Sequence, residues 1–141
     1  FWNGSTGLLD LILSGHTACV TCVRWSGSNT VYSASQDRTI RAWDPIKGTL
    51  TNVFKGHAHW VNSLSLSSDY VLRTGGFDHS GLSADNPVQA ALERYQKTGE
   101  ERLISCSDDF TLFLWNPSKS DKPIARRCHS VILPPCTISE F

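Results

Sequence analysis

Across its 141 residues the chain has no methionine, no excess of either charge and no apolar run long enough to cross a membrane as a helix. Thirteen basic and thirteen acidic side chains cancel without a long block of one sign, which argues against a surface that tracks phosphates nonspecifically. Arg126-Arg127 is too short to count as a basic patch. It leaves room only for a minor or indirect RNA contact within a larger assembly. No Gly-x-Ser-x-Gly elbow occurs, so the strained turn of an α/β-hydrolase nucleophile is missing. Cys19, Cys22, Cys106, Cys128 and Cys136 form an odd set without a secretory signal, which fits a reducing compartment. The spacing of Cys19 and Cys22 invites a zinc reading, but a site needs a second pair and none has the spacing. His57-Ala58-His59 has the spacing to hold a metal on one strand face, yet His57 is claimed by a different role. His79 has no evident partner. No metal and no cofactor are expected.

What is present is a pattern that occurs twice. Gly15-His16 is followed by Ser33, Asp37 and Trp43, and Gly56-His57 by Ser105, Asp109 and Trp115. In both copies the aspartate stands four positions after the serine and the tryptophan six after the aspartate. Such repetition marks units that bury their faces by stacking on one another. Val20 to Trp25, Val31 to Ser35, Thr39 to Trp43 and Leu50 to Phe54 are rich in β-branched and aromatic residues and read as strands. Ser26-Gly27-Ser28-Asn29, Gln36-Asp37-Arg38 and Asp44-Pro45 through Gly48 supply the turns. Four antiparallel strands should therefore follow each Gly-His pair. Apolar positions are dense rather than alternating, so both faces of each sheet should be covered, as in radially stacked sheets.

In this arrangement the His16 loop and the Asp37 turn fall at one end of the sheet. An indole donates only, a serine donates and accepts, and a histidine can bridge to a carboxylate, so Trp43, Ser33, His16 and Asp37 can satisfy one another in series. Trp115, Ser105, His57 and Asp109 can do the same. A structural brace is expected in each unit. The competing reading, a nucleophilic Ser-His-Asp triad on Ser33 or Ser105, needs an exposed serine and an oxyanion hole, and leaves the tryptophan unexplained.

The unit running from Gly15-His16 to Trp43-Asp44 resembles the WD-repeat β-propellers, and the second unit ends in the variant Trp115-Asn116. A narrower resemblance, to the Notchless family, lies in Gly56-His57-Ala58-His59-Trp60-Val61-Asn62-Ser63-Leu64, in Asp69 to Gly75, in Glu101 to Ser105 and in Ser107 to Trp115. It covers about residues 9 to 127. The resemblance implies an all-β, partial WD-repeat propeller of two to three four-stranded blades with a short helical insert. A closed propeller needs about four to eight blades, so this chain is expected to be an internal stretch of a longer protein. Residues 1–14 are expected to give the last strand of a preceding blade, 15–55 the first complete blade and 56–127 the second, with an insert at 76–100. Cys128-His129 stands where a third Gly-His pair is due, and Pro134-Pro135 spoils the strand that should follow. Residues 128–141 are therefore read as an atypical tail, truncated or non-native.

Seventeen positions separate His16 from Ser33 but forty-eight separate His57 from Ser105, which is where the insert enters. Asn86-Pro87-Val88-Gln89 reads as an N-cap, a first-turn proline and a capping-box glutamine. Val88, Ala91, Leu92 and Tyr95 then recur at helical spacing and Gly99 is a natural stop. The helix is expected either to lie on its own propeller or to dock a partner, on the rim opposite His57 and Asp109.

On the Gly-His rim, Gln36 and Arg38 in one blade and His59, Trp60, Asp108 and Phe110 in the other flank the braces. Exposed aromatics beside charges anchor many protein interfaces, so these six are the expected protein contacts. The Notchless resemblance implies a noncatalytic protein-interaction scaffold in large ribosomal subunit biogenesis. Its expected partners are pre-ribosomal proteins, with no membrane and no small-molecule substrate, and its expected location is nucleus and nucleolus, with cytoplasm as a second site. It also implies an alternative, an adaptor in Notch signalling. The family's contact with the ATPase midasin belongs to a ubiquitin-like domain and is not expected in this segment.

Overall fold

The computed structural model describes residues 1–74 and 86–128. His79 and the first part of the expected insert lie outside those residues, as does the expected tail beyond Cys128. Among the described residues β1 (Val20–Trp25), β2 (Val31–Ser35), β3 (Thr39–Asp44), β4 (Thr49–Lys55) and β5 (Val61–Leu66) are followed by α1 (Asp69–Thr74) and α2 (Pro87–Lys97). β6 (Leu103–Ser107), β7 (Thr111–Trp115) and β8 (Pro123–Cys128) complete the order. They form two four-stranded antiparallel sheets, β1-β2-β3-β4 and β5-β6-β7-β8. These are two blades of an all-β propeller.

The repetition extends to register. Val31 pairs with Trp43 and Ser33 with Arg41 in the first blade, as Leu103 pairs with Trp115 and Ser105 with Phe113 in the second. Each first strand is irregular at the same place, between Val20 and Cys22 and between Val61 and Ser63. A bulge there bends the inner strand and re-aims its side chains. The turns are built by local chemistry, for the Asp44 carboxylate accepts from the Ile46 and Lys47 amides at 2.9 and 3.1 Å.

The core lies between the blades. Tyr32, Ala34, Ile40, Ala42 and Phe54 from the first sheet meet Val61, Leu64, Leu66, Leu103, Phe113 and Trp115 from the second. Phe54 meets the Trp115 ring edge-on at 5.4 Å. Burying each large apolar side chain stabilises by about 1.5–3 kcal/mol, which makes this face the main source of cohesion. A polar seam runs beside it. The Thr21 hydroxyl donates to the Val61 carbonyl and the Arg24 Nε to the Leu64 carbonyl at 2.9 Å, so free groups on the inner strand β5 are capped by side chains of β1. The Glu101 carboxylate accepts from the hydroxyls of Ser26 in the first blade and of Ser68 and Tyr95 in the second, joining the blades at the opposite rim.

Several expectations need correction. Residues 1–14 make a single bridge, Trp2 to Leu9. Both faces are covered only for the central strands. β2 is buried throughout, whereas β1 exposes Val20, Val23 and Trp25 and β8 is exposed along its length, since each borders on only one packed layer. Chain leaves the second sheet at Leu66 and returns at Leu103, so the excursion is wider than 76–100 and includes α1. Cys128 closes β8 opposite Thr111 and does not open a tail.

The helix α2 matches its caps. The Asn86 side chain accepts from the Gln89 amide at 3.3 Å with Pro87 in the first turn. The capping box is only half made, because the Gln89 side chain reaches Glu93 at 3.5 Å. The helix rests against α1 and, through Tyr95, over Gly27 of the first blade, while Val88 is 77% exposed and Leu92 is also largely in solvent.

Candidate functional site

Each blade holds one continuous hydrogen-bonded series. In the first, the Trp43 indole donates to the Ser33 hydroxyl at 2.8 Å, Ser33 meets His16 Nε2 at 2.7 Å, and His16 Nδ1 meets Asp37 Oδ2 at 2.7 Å. Direction follows from chemistry. The indole can only donate and the carboxylate can only accept, so Ser33 passes its hydrogen to Nε2 and Nδ1 carries the ring hydrogen. In the second blade, Trp115 donates to Ser105 at 2.9 Å and Ser105 meets His57 Nε2 at 2.7 Å. His57 Nδ1 is shared between Thr111 Oγ1 at 3.1 Å and Asp109 Oδ2 at 3.3 Å. All eight residues singled out by the repeat therefore meet, four in each blade.

Each series has a fifth partner, a threonine outside the residues singled out by the repeat. The Thr39 hydroxyl and amide donate to Asp37 Oδ1 at 2.5 and 3.0 Å, and Thr111 does the same for Asp109. The signal was present as Asp-x-Thr in both copies. A serine two residues past the first also recurs, for Ser35 and Ser107 receive the amides of Asp37 and Asp109 at 3.1 and 3.2 Å. Burial raises the Asp37 carboxyl, but the bonds from Thr39, His16 and Thr17 outweigh it and bring the carboxyl down to about 2. Asp109 follows the same pattern, with burial opposed by Thr111, Ala58 and the adjacent imidazole, and its pKa is lowered. Burial pushes the His57 imidazole below its usual range against the opposing pull of Asp109, which keeps the ring neutral at physiological pH.

The two series occupy different surroundings. Ser105 and Trp115 lie wholly buried on the face that meets the first blade. The His16 series lies on the other face of the first blade, beside a groove lined by Phe1, Trp2, Leu9, Leu13 and Val23. Glycine is needed before each histidine for close approach. A Cβ on Gly56 would stand 2.7 Å from the Phe113 ring, which stacks on His57 at 4.3 Å. At Gly15 the same atom would meet the end of the flexible Arg41 side chain.

The six rim residues sit in and beside the turns that hold the two aspartates. Trp60 is 45% and Phe110 59% exposed, His59 and Arg38 are exposed, and Gln36 and Asp108 are half-buried. His59 lies 5.1 Å from the Trp60 ring and 3.7 Å from Asp108, and Asn62 donates to Asp108. These four thus form one cluster. Arg38 and Phe110 occupy the same turn position at φ of 69° and 60°, which projects both side chains away from the sheet. Of the helix residues, Val88 and Leu92 face solvent, whereas Tyr95 reaches Glu101 and the first blade.

Among the described residues no group of three His, Cys, Asp or Glu side chains converges as a metal site, and no helix is long and apolar enough to cross a membrane. Among the described residues Cys19, Cys22, Cys106 and Cys128 form no disulfide.

Residues 8–44 and 48–80 match the WD domain, G-beta repeat family. The chain is 54% identical over 130 residues to the Notchless protein homolog of Arabidopsis thaliana, an alignment covering 89% of this chain and 28% of that protein. It is 49% identical over 124 residues to Ribosome assembly protein 4 of Saccharomyces cerevisiae (81% of this chain, 24% of that protein). It is 43% identical over 130 residues to Protein Notchless of Drosophila melanogaster (84% and 27%). The chain thus spans about a quarter of the length of these relatives. With two repeat matches, two blades of matching register and this degree of identity, the chain belongs to the WD-repeat β-propeller family, in its Notchless group.

Proposed function

We propose that this chain forms part of a noncatalytic protein-interaction scaffold that acts in assembly of the large ribosomal subunit, in the nucleus and nucleolus. The observation that carries the reading is its 49% identity to a protein named for ribosome assembly, extending over 81% of this chain. In this reading the two histidine series are structural braces. Their serines support it, since Ser105 is wholly buried and Ser33 nearly so, and each oxygen already receives an indole hydrogen. A nucleophile must meet its substrate, which Ser105 cannot, and Ser33, though it borders the groove of residues 1–13, is committed to Trp43 and His16. The contact surface is the Gly-His rim, where His59, Trp60 and Asp108 cluster and Phe110, Gln36 and Arg38 flank them. Its partners are proteins of the pre-ribosomal particle, with any RNA contact minor.

Co-sedimentation of the parent protein with large-subunit precursors tests the assignment. Recovery in those fractions, lost on Trp60→Ala with Phe110→Ala, is the expected result. Absence of the unaltered protein from them rejects it. The relative named Notchless motivates a second reading, an adaptor for the Notch receptor's cytoplasmic tail. A pull-down offering the tail and the precursor particle together separates the two readings.

A further inference from the structure

At the rim opposite the Gly-His loops the two blades part to leave a cleft of about 490 Å³. Tyr32 and Phe54 of the first blade form its floor, Tyr95 of the insert helix one wall, and Glu100 and Glu101 another. Tyr32 is 4% exposed, and among the described residues its hydroxyl has no hydrogen-bond partner although it lines the cleft. The side chain is enclosed while its hydroxyl meets the cleft rather than a protein group, which offers a fixed hydrogen-bonding position to a ligand atom. Burial, with the Glu101 charge and Tyr95 beside it, raises the Tyr32 hydroxyl well above its usual range, so it stays protonated and uncharged.

We propose that this cleft binds an arginine side chain of a partner protein. The charge there is negative, and an anionic group entering would face two carboxylates. The mouth already holds a cation, for the Lys119 ammonium lies 2.7 Å from Glu100. The Glu101 carboxylate accepts from three hydroxyl donors, which leaves its lone pairs largely engaged. A guanidinium suits such walls better than an ammonium. It is planar, stacks on aromatic faces such as Tyr32 and Tyr95, and spreads five donors over several oxygens, here the Tyr32 hydroxyl and, in exchange for Lys119 and beside the Asn116 amide, the Glu100 carboxylate. The volume lies within the range of ligand pockets and admits the side chain with a stretch of its backbone. The inference goes beyond the scaffold reading, since it concerns the rim away from the six expected contacts and stands whichever assembly the parent joins.

The test is an NMR titration of this chain with N-acetyl-arginine methylamide, its citrulline counterpart and free arginine. The arginine compound should shift the resonances of Thr30, Thr51, Asn52 and Ser118, and the uncharged citrulline should bind about tenfold more weakly, as loss of a charge-assisted bond requires. Tyr32→Phe should weaken binding by about tenfold as well. Glu100, which is half exposed and outside the core, gives a second variant should Tyr32→Phe fail to fold, and Glu100→Gln should weaken binding roughly two- to fivefold. Equal binding of citrulline and arginine, shifts confined to other surfaces, or unchanged binding in either variant with a native spectrum would overturn the proposal. Tighter binding of free arginine than of the blocked form would also overturn it, because the site would then serve a metabolite.

Discussion

Replacing Ser105 by alanine removes one oxygen and leaves two groups without partners. The oxygen accepts from the Trp115 indole at 2.9 Å and bonds His57 Nε2 at 2.7 Å, in a site where serine and tryptophan are wholly buried. A buried polar group left unmatched costs about 1–3 kcal/mol, so two of them, less some relaxation, give about 2–4 kcal/mol. Ser33→Ala removes the same two bonds from the first blade. There the His16 side chain keeps 7% exposure beside the groove lined by residues 1–13, so water can approach the orphaned nitrogen and the cost falls to about 1–2 kcal/mol. Urea unfolding followed by tryptophan fluorescence measures both. With a slope of about 1–3 kcal/mol per molar urea, Ser105→Ala should lower the midpoint by roughly 1–2 M and Ser33→Ala by about half as much. If Ser105→Ala unfolds within about 0.5 kcal/mol (roughly a twofold change in the unfolding constant) of the unaltered chain, or costs less than Ser33→Ala, the buried series is not what holds the second blade.

Further outcomes follow from the same geometry. Gly56→Ala should destabilise by about 1–3 kcal/mol because the added carbon meets a ring fixed by stacking, and Gly15→Ala by less because Arg41 can swing aside; thermal melts of the pair check the order. The Asp37 carboxyl lies at about 2 in the folded chain, below its unfolded value, so its contribution is present above pH 4 or so, by the ordinary aspartate value, and is lost as pH falls towards 2. Asp37→Asn should flatten that limb of an acid titration of stability. His57, held neutral by burial, should make stability decline as pH drops below about 6.5, since the unfolded chain then takes up the proton first; His57→Gln should remove that slope in melts between pH 5 and 8. Phe110→Gly relieves a left-handed backbone and should stabilise by up to about 1 kcal/mol, while weakening precursor binding if the rim is the contact surface.

Strands were legible because β-branched runs are short here and end in residues that favour turns. β1 and β2 begin and end at the residues the sequence pattern marks, β3 runs one residue further at its end and β4 one residue further at each end. The four-residue series was legible because it is spelled twice at fixed spacing. Thr39 and Thr111 were not, although they too recur, because a threonine beginning a strand has a sufficient explanation in β propensity. α1 went unread for a related reason. Tyr70, Val71 and Thr74 favour strands locally, but Asp69 in its first turn accepts from the Leu66 amide at 3.0 Å and the Ser65 hydroxyl at 3.3 Å, which turns the chain out of β5. Such a turn depends on a contact made after folding.

Lys55 ends the outermost strand of one sheet, and two residues later the His57 ring is locked inside the next. So short a knuckle leaves almost no slack between modules. The splay of one sheet from its neighbour is therefore set by covalent reach as well as by the apolar face between them, and a chain repeating this joint inherits a constant pitch. Curvature, in such a design, is counted out residue by residue.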